Sequence, residues 1–422
     1  ITGKVVNEQD QPLIGANVLV VGTSIGTITD IDGSYSIDVP EGSNELQFSY
    51  TGYSTQRVTL GVSNVLDIAL SPGEVLEEVV VIGYGTVKKE DATGVVAAVT
   101  DEDFNRGAIV SPDQLIAGKV AGVQITPNSG EPGGQTSIRI RGGTSVNASN
   151  EPLYVIDGVP IDNAGHNPGG FQSGRNPLNF INPEDIETFT VLKDASATAI
   201  YGSRGANGVI LITTKKGEAG QRPRISYNTW ASFAQDVERI EVLNAEQFRS
   251  VVTFYEPNNL DLLGDANTDW QDQVFRTAFG QNHALSLTGG GSNFGYRASV
   301  GYLNQDGIVK TSNTERTNFS LSYNHDLFDE DLNINFNVKG AFTNDRISPN
   351  GVIGGAISYN PTFPVNDPTS QLGGFFEYDL TVPNAGTNPV SELRQTQDFA
   401  ENFRGLGNIE LDYALPFVTG LS

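Results

Sequence analysis

The sequence predicts a mainly β protein with three parts: an N-terminal β-sandwich, a small α/β unit, and the first strands of a large transmembrane β-barrel. Short apolar segments separated by turn residues fill the first 71 positions, which is typical of a sandwich. From about residue 222 the chain changes to long alternation of apolar and polar residues, the pattern of membrane-barrel strands. The 48 glycines favour turns and strands over helices.

The charge balance is strongly acidic. Lys and Arg total 25 against 50 Asp and Glu, giving a net charge of −25 and a pI of about 4.3. This argues against a general nucleic-acid binder, which needs basic groups to displace counterions from phosphates. Cysteine is absent, so the chain has no disulfides and no thiolate metal site.

The ends of the chain and its hydropathy lead to two expectations. The first residue is Ile1, and we expect that a signal peptide has already been removed. No run of about 18 apolar residues occurs, so no membrane-spanning helix is expected. Strands of a β-barrel would cross a membrane without such a run.

Residues 1–71 contain one motif that resembles a calcium loop. Asp30 and Asp32 are followed by acidic Glu41 at the twelfth position. An EF-hand loop requires glycine at the sixth position, where this chain has Tyr35. We therefore interpret Asp32–Gly33 as a hairpin turn and expect no metal site.

Residues 72–90 form a linker around an apolar run, Val79–Ile82. Four β-branched residues in succession favour an extended backbone, and Gly83 and Gly85 end the run. Composition alone favours a buried edge strand. The alternative is an accessible strand whose backbone groups pair with the sheet edge of another chain.

The α/β unit is expected over residues 91–217. A helix should begin after Ser111 with Pro112 in its first turn and end at Gly118 or Gly122, before a strand. In QTSIRIRGG, alternation places Arg139 and Arg141 on one side of a strand.

The rest of this unit is expected to contain a hairpin and a final strand. PLYVIDGVPI predicts a hairpin that turns at Asp157–Gly158. A strand, a short Ala-rich helix, a glycine turn and an apolar strand follow. Residues 202–208 lack the GxxxxGK[ST] spacing of a phosphate loop, so we interpret them as a tight turn.

The barrel strands are predicted from segments such as GYRASVGY, TNFSLSYN, LNINFNVKG and NIELDYAL. A short acidic turn at 324–331 and a long excursion at 344–400 indicate short turns on one side and long loops on the other. Only about five or six strands are visible, and a closed barrel of this type needs at least about eight. We therefore expect further strands beyond residue 422.

An enzyme is not expected. The three histidines, His166, His283 and His325, lie far apart, and no HExxH, GxSxG or cysteine nucleophile occurs. No cofactor motif is present either.

Four segments together resemble the SusC/RagA family of TonB-dependent outer-membrane transporters. They are EEVVVIGYGTVKKEDATGVV, GKVAGVQITPNSGEPGGQTSIRIRGGTS, EPLYVIDGVPI and IETFTVLKDASATAIYGSRGANGVILITTKKG. Residues 1–71 look like the carboxypeptidase-regulatory-like extension common in this family.

The resemblance implies a barrel of about 22 strands with a plugged lumen, in the outer membrane of a Gram-negative bacterium. Its domains would be 1–71, the linker 72–90, the plug 91–217 and the start of the barrel 218–422. The TonB box would lie within Glu78–Gly83, with Val79, Val80, Val81 and Ile82 pairing with TonB by strand addition. The family usually works with a SusD-like lipoprotein lid that captures an oligosaccharide or a peptide.

Two sets of site residues follow from this expectation. Arg139 and Arg141 are candidates for ion pairs between plug and barrel, or for ordinary salt bridges on the plug surface. Ligand contacts are expected from aromatic-rich loops, unless those aromatics form a lipid girdle. The candidates are His166, Phe171, Phe375, Phe376 and Tyr378. A siderophore or vitamin receptor and a surface adhesin are the alternative functions.

Overall fold

The computed structural model describes most of the chain. The described residues are 1–7, 9–21, 23, 25–40, 44–50, 53–61, 63–71, 79–82, 85–88 (79–82 and 85–88 by backbone alone), 96–140, 142, 150–161, 174–194, 198–328, 331–378 and 386–414. Two compact units are present, one of residues 1–80 and 86–91, the other of residues 81–85 and 92–422.

The first unit is the predicted sandwich. One sheet has the strand order β4-β1-β7 and the other β3-β2-β5-β6. The strands are β1 (Thr2–Asn7), β2 (Asn17–Val20), β3 (Gly26–Ile28), β4 (Ser34–Ser36), β5 (Glu45–Ser49), β6 (Gln56–Thr59) and β7 (Ile68–Leu70).

Alternation along these strands builds the core between the two sheets. Val18 and Val20 are buried while Leu19, between them, is 37% exposed on the outer face. Leu46 and Phe48 on the neighbouring strand are also fully buried. Residues two apart share a face of a strand, so this pattern directs every second residue into the core.

The turn at residues 30–34 is tight, but it does not form the predicted hairpin. The Asp30 Oδ1 atom accepts a hydrogen bond from the Ser34 amide at 2.8 Å, and Gly33 has φ +71°. However, β3 and β4 lie in opposite sheets. The hairpin prediction was wrong because the chain crosses between layers here, a choice that local turn chemistry does not determine.

Two short strands lie in the linker. They are β8 (Val79–Ile82) and β9 (Gly85–Lys88), which pair with each other as a two-stranded sheet.

The plug contains a five-stranded sheet of order β10-β15-β16-β13-β14 and a separate β11–β12 hairpin. The strands are β10 (Val96–Thr100), β11 (Val123–Pro127), β12 (Thr136–Ile140), β13 (Leu153–Ile156), β14 (Val159–Ile161), β15 (Ile186–Leu192) and β16 (Val209–Thr214). In the described part of the plug, 3-10 helices lie at Pro112–Ile116, Pro177–Phe180, Pro183–Asp185 and Ala199–Gly205.

The turns of the plug follow from its sequence. The helix after Ser111 begins at Pro112 as predicted, although it is a 3-10 helix and ends before Gly118 and Gly122, which both have φ +75°. The hairpin at Asp157–Gly158 is confirmed, with φ +45° and +83°. Positive φ at both central residues is the geometry that matches strand twist in a two-residue hairpin.

The glycine turn before β16 is also confirmed. Gly208 has φ +94°, and a Cβ atom there would lie 2.7 Å from the Ile140 Cδ1 atom. Glycine is therefore favoured at position 208 for two reasons: it adopts a positive φ without strain, and it leaves room for the Ile140 side chain.

The barrel portion is a single antiparallel sheet in which each strand pairs with the next along the chain. Its six strands are β17 (Arg224–Ala234), β18 (Ala278–Gly290), β19 (Phe294–Asp306), β20 (Asn313–Leu327), β21 (Leu332–Ile347) and β22 (Asp398–Tyr413). Connections are short at 291–293 and 328–331, and long at 235–277 and 348–397. The predicted short turn at 324–331 and long excursion at 344–400 are confirmed, but the connection at 307–312, on the same side as the long ones, is short.

The burial pattern of these strands is the reverse of that in a soluble protein. Outward-facing Phe403 and Ile409 are 60% and 68% exposed, whereas Lys339, Asn337 and Asn318 on the inner face are buried. An apolar outer face and a polar inner face are what a lipid-embedded barrel requires. The fold is therefore mainly β, with a sandwich, a plug and the first strands of a transmembrane barrel.

None of the helices in the described part of the chain is long and apolar enough to cross a membrane.

The two long connections fold together on a hydrophobic core of their own. Their helices are α1 (Ala245–Tyr255), α2 (Trp270–Val274), α3 (Val352–Ser358) and α4 (Pro389–Gln395), with a 3-10 helix at Pro257–Leu262. The buried core residues are Trp270, Val274, Val352, Ala356, Tyr359, Phe363, Val390 and Leu393.

We expect Leu46→Ala to lower the free energy of unfolding of the sandwich by about 2–5 kcal/mol, because a fully buried leucine leaves a cavity when it is truncated. Denaturant unfolding measures this change. Leu19→Ala, the same substitution on the outer face, serves as the control and should change stability by less than about 1 kcal/mol. Equal losses from the two variants would contradict the assigned core.

Candidate functional site

The candidate site is the interface between the plug and the inner wall of the barrel, where buried charges meet. Asp157 in the β13–β14 turn accepts hydrogen bonds from the Thr214 amide at 2.9 Å and from the Thr214 hydroxyl at 2.8 Å. The Lys339 ammonium of β21 forms an ion pair with the same carboxylate and donates to the Thr214 hydroxyl at 2.9 Å. The side chains of Asp157 and Lys339 are 3% and 4% exposed, so this ion pair is fully buried.

A second contact lies just before β15, at the same end of the plug sheet, since Ile186 pairs with Thr214. The Arg297 guanidinium of β19 donates to Asp185 Oδ1 at 2.8 Å, and the Ser299 hydroxyl donates to Asp185 Oδ2 at 2.5 Å. The plug also approaches β19 closely at Gly301, where a Cβ atom would lie 2.6 Å from the Asn182 Nδ2 atom. Glycine at this position therefore lets the plug contact the wall.

The third contact involves a plug arginine and a barrel carboxylate. The Arg175 Nε atom lies 3.2 Å from Asp345 Oδ2, and the Thr314 hydroxyl donates to the same aspartate. Nearby, the Arg316 Nη2 atom donates to the Val110 carbonyl at 2.8 Å. Both signs of charge therefore occur on both surfaces, and each is matched across the interface.

These ion pairs and charged hydrogen bonds hold the plug against the barrel wall. A buried ion pair adds little net stability compared with an apolar pair of the same size, but removing one partner leaves a buried charge without compensation. Any displacement of the plug that separates Asp157 from Lys339, or Asp185 from Arg297, must therefore rehydrate both charges.

The predicted plug–barrel residues are placed as follows. Ile138 and Ile140 are buried and Arg139 is exposed on β12, so the predicted alternation is confirmed. The ion pairs between plug and barrel in the described part of the chain use Asp157, Asp185 and Arg175 instead. Arg141 lies outside the described residues, so the role of both arginines stays a prediction.

The sequence reading missed the residues that make these pairs. Asp157 was interpreted only as a turn residue, and Asp185 was not singled out. One available signal was Lys339, a lysine on the polar side of LNINFNVKG. A charge that faces the interior of a plugged barrel needs a partner on the plug.

The candidate ligand residues in the long connection pack into its hydrophobic core. Phe376 stacks on Phe363 with ring centroids 4.4 Å apart, and Tyr378 lies 5.3 Å from Tyr359. Burial raises the pKa of the Tyr378 phenol. Phe375 packs against the same cluster. A ligand role for Phe375, Phe376 and Tyr378 stays a prediction, while His166 and Phe171 lie outside the described residues.

The predicted TonB-binding strand is present as β8. It belongs to neither sandwich sheet and not to the plug sheet, since its partner is β9. Glu78 and Gly83 lie outside the described residues. TonB binding by this strand stays a prediction.

Among the residues that the structure describes, no group of three or more His, Cys, Asp or Glu side chains could hold a metal ion.

A charged plug fastened inside the polar wall of an outwardly apolar barrel defines a plugged β-barrel receptor of the outer membrane. The matches to family models agree with this class. Residues 1–82 match the CarboxypepD_reg-like domain, and residues 88–209 match the TonB-dependent Receptor Plug Domain.

Two relatives and one solved structure extend the similarity beyond the plug. TonB-dependent receptor SusC of Bacteroides thetaiotaomicron is 42% identical over 440 residues, covering 100% of this chain and 43% of SusC. TonB-dependent receptor P26 of Formosa agariphila is 39% identical over 426 residues, covering 97% of this chain and 40% of P26. The RagAB peptide importer in its open-open state has a TM-score of 0.60 and 26% identity, covering 79% of this chain and 40% of that chain.

The chain belongs to the SusC/RagA family of TonB-dependent outer-membrane receptors. It spans less than half the length of the relatives it matches. Both relatives are named as TonB-dependent receptors.

We expect Lys339→Met in the full-length receptor to loosen the plug, because Asp157 would remain buried without its cation. The loss should be about 3–5 kcal/mol in the local opening of β13 and β16. Hydrogen exchange of the plug amides measures it.

Two variants control this experiment. Lys216→Met removes an exposed plug lysine and should leave exchange unchanged. Asp157→Asn combined with Lys339→Met removes both charges and should recover most of the protection. Unchanged exchange in Lys339→Met alone would show that the pair does not hold the plug.

Proposed function

We propose that the full-length protein imports a nutrient oligomer across the outer membrane, driven by TonB from the periplasm. The observation that carries this proposal is the match to SusC over the whole of this chain, together with a plug fastened inside the barrel wall. A plugged barrel cannot leak, so passage requires the plug to move or rearrange. We propose that the domains of this chain are the sandwich at 1–71, the linker at 72–90, the plug at 91–217 and the start of the barrel at 218–422.

The linker is the proposed point of attachment for TonB, within Glu78–Gly83. Support comes from the backbone of β8, which is already extended and, among the residues that the structure describes, pairs along one edge with β9. The second edge offers amide and carbonyl groups for strand addition by another chain. Force applied here would reach the plug, whose sheet begins at β10.

The proposed ligand is an oligosaccharide, with a peptide as the second candidate. SusC-type receptors supply the first candidate, and the RagAB structure, titled a peptide importer, supplies the second. We propose a SusD-like surface lipoprotein as the partner that covers the barrel mouth. The folded long connections at one end of the strands offer a preformed surface for such a partner.

Two other functions are weaker. A siderophore or vitamin receptor shares the plug and barrel, but the match of residues 1–82 to the CarboxypepD_reg-like domain favours a SusC-type receptor. A surface adhesin would explain the sandwich and the barrel, but it would not need a plug.

We expect deletion of Glu77–Gly83 from the full-length receptor to abolish uptake while binding of the ligand at the cell surface persists. The deletion removes the proposed TonB-binding strand and leaves the barrel intact. Uptake and surface binding of a labelled oligosaccharide measure the two effects.

A point variant and its control refine this test. Val80→Pro removes one backbone donor within β8 and should reduce uptake at least about tenfold, whereas Leu76→Pro in the same linker should not. Uptake that survives the deletion would refute TonB-driven import, and surface binding without uptake in the unmodified receptor would favour an adhesin.

A further inference from the structure

The N-terminal sandwich has an edge strand that is accessible along one side. Among the residues that the structure describes, β3 (Gly26–Ile28) pairs with β2 alone. Hydrogen bonds extend this pairing at both ends of β3. The Val20 amide donates to the Ile25 carbonyl at 2.9 Å, and the Thr29 amide donates to the Ala16 carbonyl at 3.0 Å. The chain from residue 25 to residue 29 therefore follows β2 as one extended edge.

The backbone groups of Gly26 and Ile28 face away from β2. Successive residues of an antiparallel strand direct their amide and carbonyl groups to opposite sides, and Ile25 and Thr29 direct theirs toward β2. Gly26 is exposed, and Ile28 is 63% exposed. The edge therefore offers two amides and two carbonyls to an added strand.

An apolar surface lies beside this edge. Leu19, 37% exposed, is on the same outer face of the sheet as Ile28, and its side chain lies over Gly26, where a Cβ atom would be 3.3 Å from Leu19 Cδ1. Exposed edges are usually protected by lysine, proline or a bulge. Residues 25–29 contain no lysine or proline, and the β2–β3 register is regular. A side chain of an added strand can therefore pack on Ile28 and Leu19.

The charges near the edge are negative. Asp30 and Asp32 are exposed and lie just after β3, in the turn that crosses to the facing sheet. Residues 1–71 contain two basic and eight acidic residues, a net charge of −6. The two basic residues are Lys4, on β1 of the facing sheet, and Arg57, on β6 at the opposite edge. This field attracts a basic strand and opposes a second copy of the sandwich.

We propose that the β3 edge binds an extended, basic segment of another protein by strand addition. The segment extends the sheet β3-β2-β5-β6 by one strand. Its apolar side chains, at every second position, pack on the outer face beside Ile28 and Leu19. Its cationic side chains point to the other face, where the turn with Asp30 and Asp32 crosses between the sheets. The proposal goes beyond the import function and does not depend on it.

The test measures binding of labelled octapeptides to the full-length receptor in detergent by fluorescence anisotropy. The probe alternates valine and lysine. One comparison peptide alternates valine and glutamate, and the other alternates glycine and lysine. The valine–lysine peptide should bind at least about tenfold more tightly than either. Equal binding of the glycine–lysine peptide shows attraction by charge alone, and a preference for the glutamate peptide reverses the charge argument. Either result overturns the proposal.

A proline variant tests the edge itself. Ile28→Pro removes an amide that faces away from β2, and proline is tolerated at such edge positions. Binding of the valine–lysine peptide should weaken about 5-fold to 10-fold. Thr59→Pro is the matched control on the opposite edge strand β6. The Thr59 amide also faces away from its sheet, since the next amide, of Leu60, donates to Asn44. Equal weakening by the two variants contradicts binding at β3.

A charge variant decides the outcome where Ile28→Pro unfolds the sandwich. Asp30→Asn removes one charge and keeps the Oδ1 acceptor that holds the Ser34 amide at 2.8 Å. Binding should weaken about 2-fold to 5-fold, whereas Asp261→Asn, at an exposed aspartate of a long connection, should leave it unchanged. Unchanged binding in Asp30→Asn refutes the charge complementarity.

Two further results assign the edge or the peptide elsewhere. Sedimentation of the receptor without peptide detects self-association, and a dimer that Ile28→Pro abolishes gives the edge to a second copy. Binding that Val80→Pro weakens and Ile28→Pro does not places the peptide on β8, the strand proposed for TonB. Each result overturns the present proposal, and the second leaves TonB-driven import intact.

Discussion

The ion pair between Lys339 and Asp157 follows from a constraint on the whole barrel. Successive residues of a strand point to opposite faces, so a wall that is apolar toward lipid is polar toward the lumen. A plug that fills this lumen meets amides, hydroxyls and charges instead of an apolar surface. It can be held there only when its own carboxylates and guanidinium groups match those of the wall, as Asp157, Asp185 and Arg175 do.

The same constraint explains why the plug has two kinds of surface. Its sheet is held together by an apolar core that includes Phe189, Ile210 and Ile212, all essentially fully buried. Its ion pairs with the wall lie at turns and strand ends, while Ala341 and Leu406 of the wall pack against the apolar core. The ion pairs with the wall and the apolar packing within the sheet therefore use different plug residues, because Asp157, Asp185 and Arg175 are not part of the apolar core.

The long connections are organised by a third kind of packing. Aromatic and aliphatic side chains from two separate connections form one core, with Trp270 and Tyr359 in edge-to-face contact at 4.8 Å. A folded structure at the barrel mouth presents a fixed surface, and a fixed surface binds with a smaller loss of conformational entropy than a flexible loop. Aromatic residues in such a loop can therefore act through the surface they support as well as by touching a ligand.

The sequence by itself determined the sandwich, the Asp157–Gly158 hairpin, the glycine turn at Gly208 and the alternating segments that form β19 to β22. These features depend on local rules: side-chain periodicity, turn chemistry and the conformations open to glycine. Tertiary structure alone decided that β3 and β4 lie in opposite sheets, that β8 pairs with β9, and that Asp157 pairs with Lys339. Asp157 and Lys339 are 182 residues apart, so no local pattern could join them. Their pairing depends on how the plug sits in the barrel, and only the folded chain fixes that position.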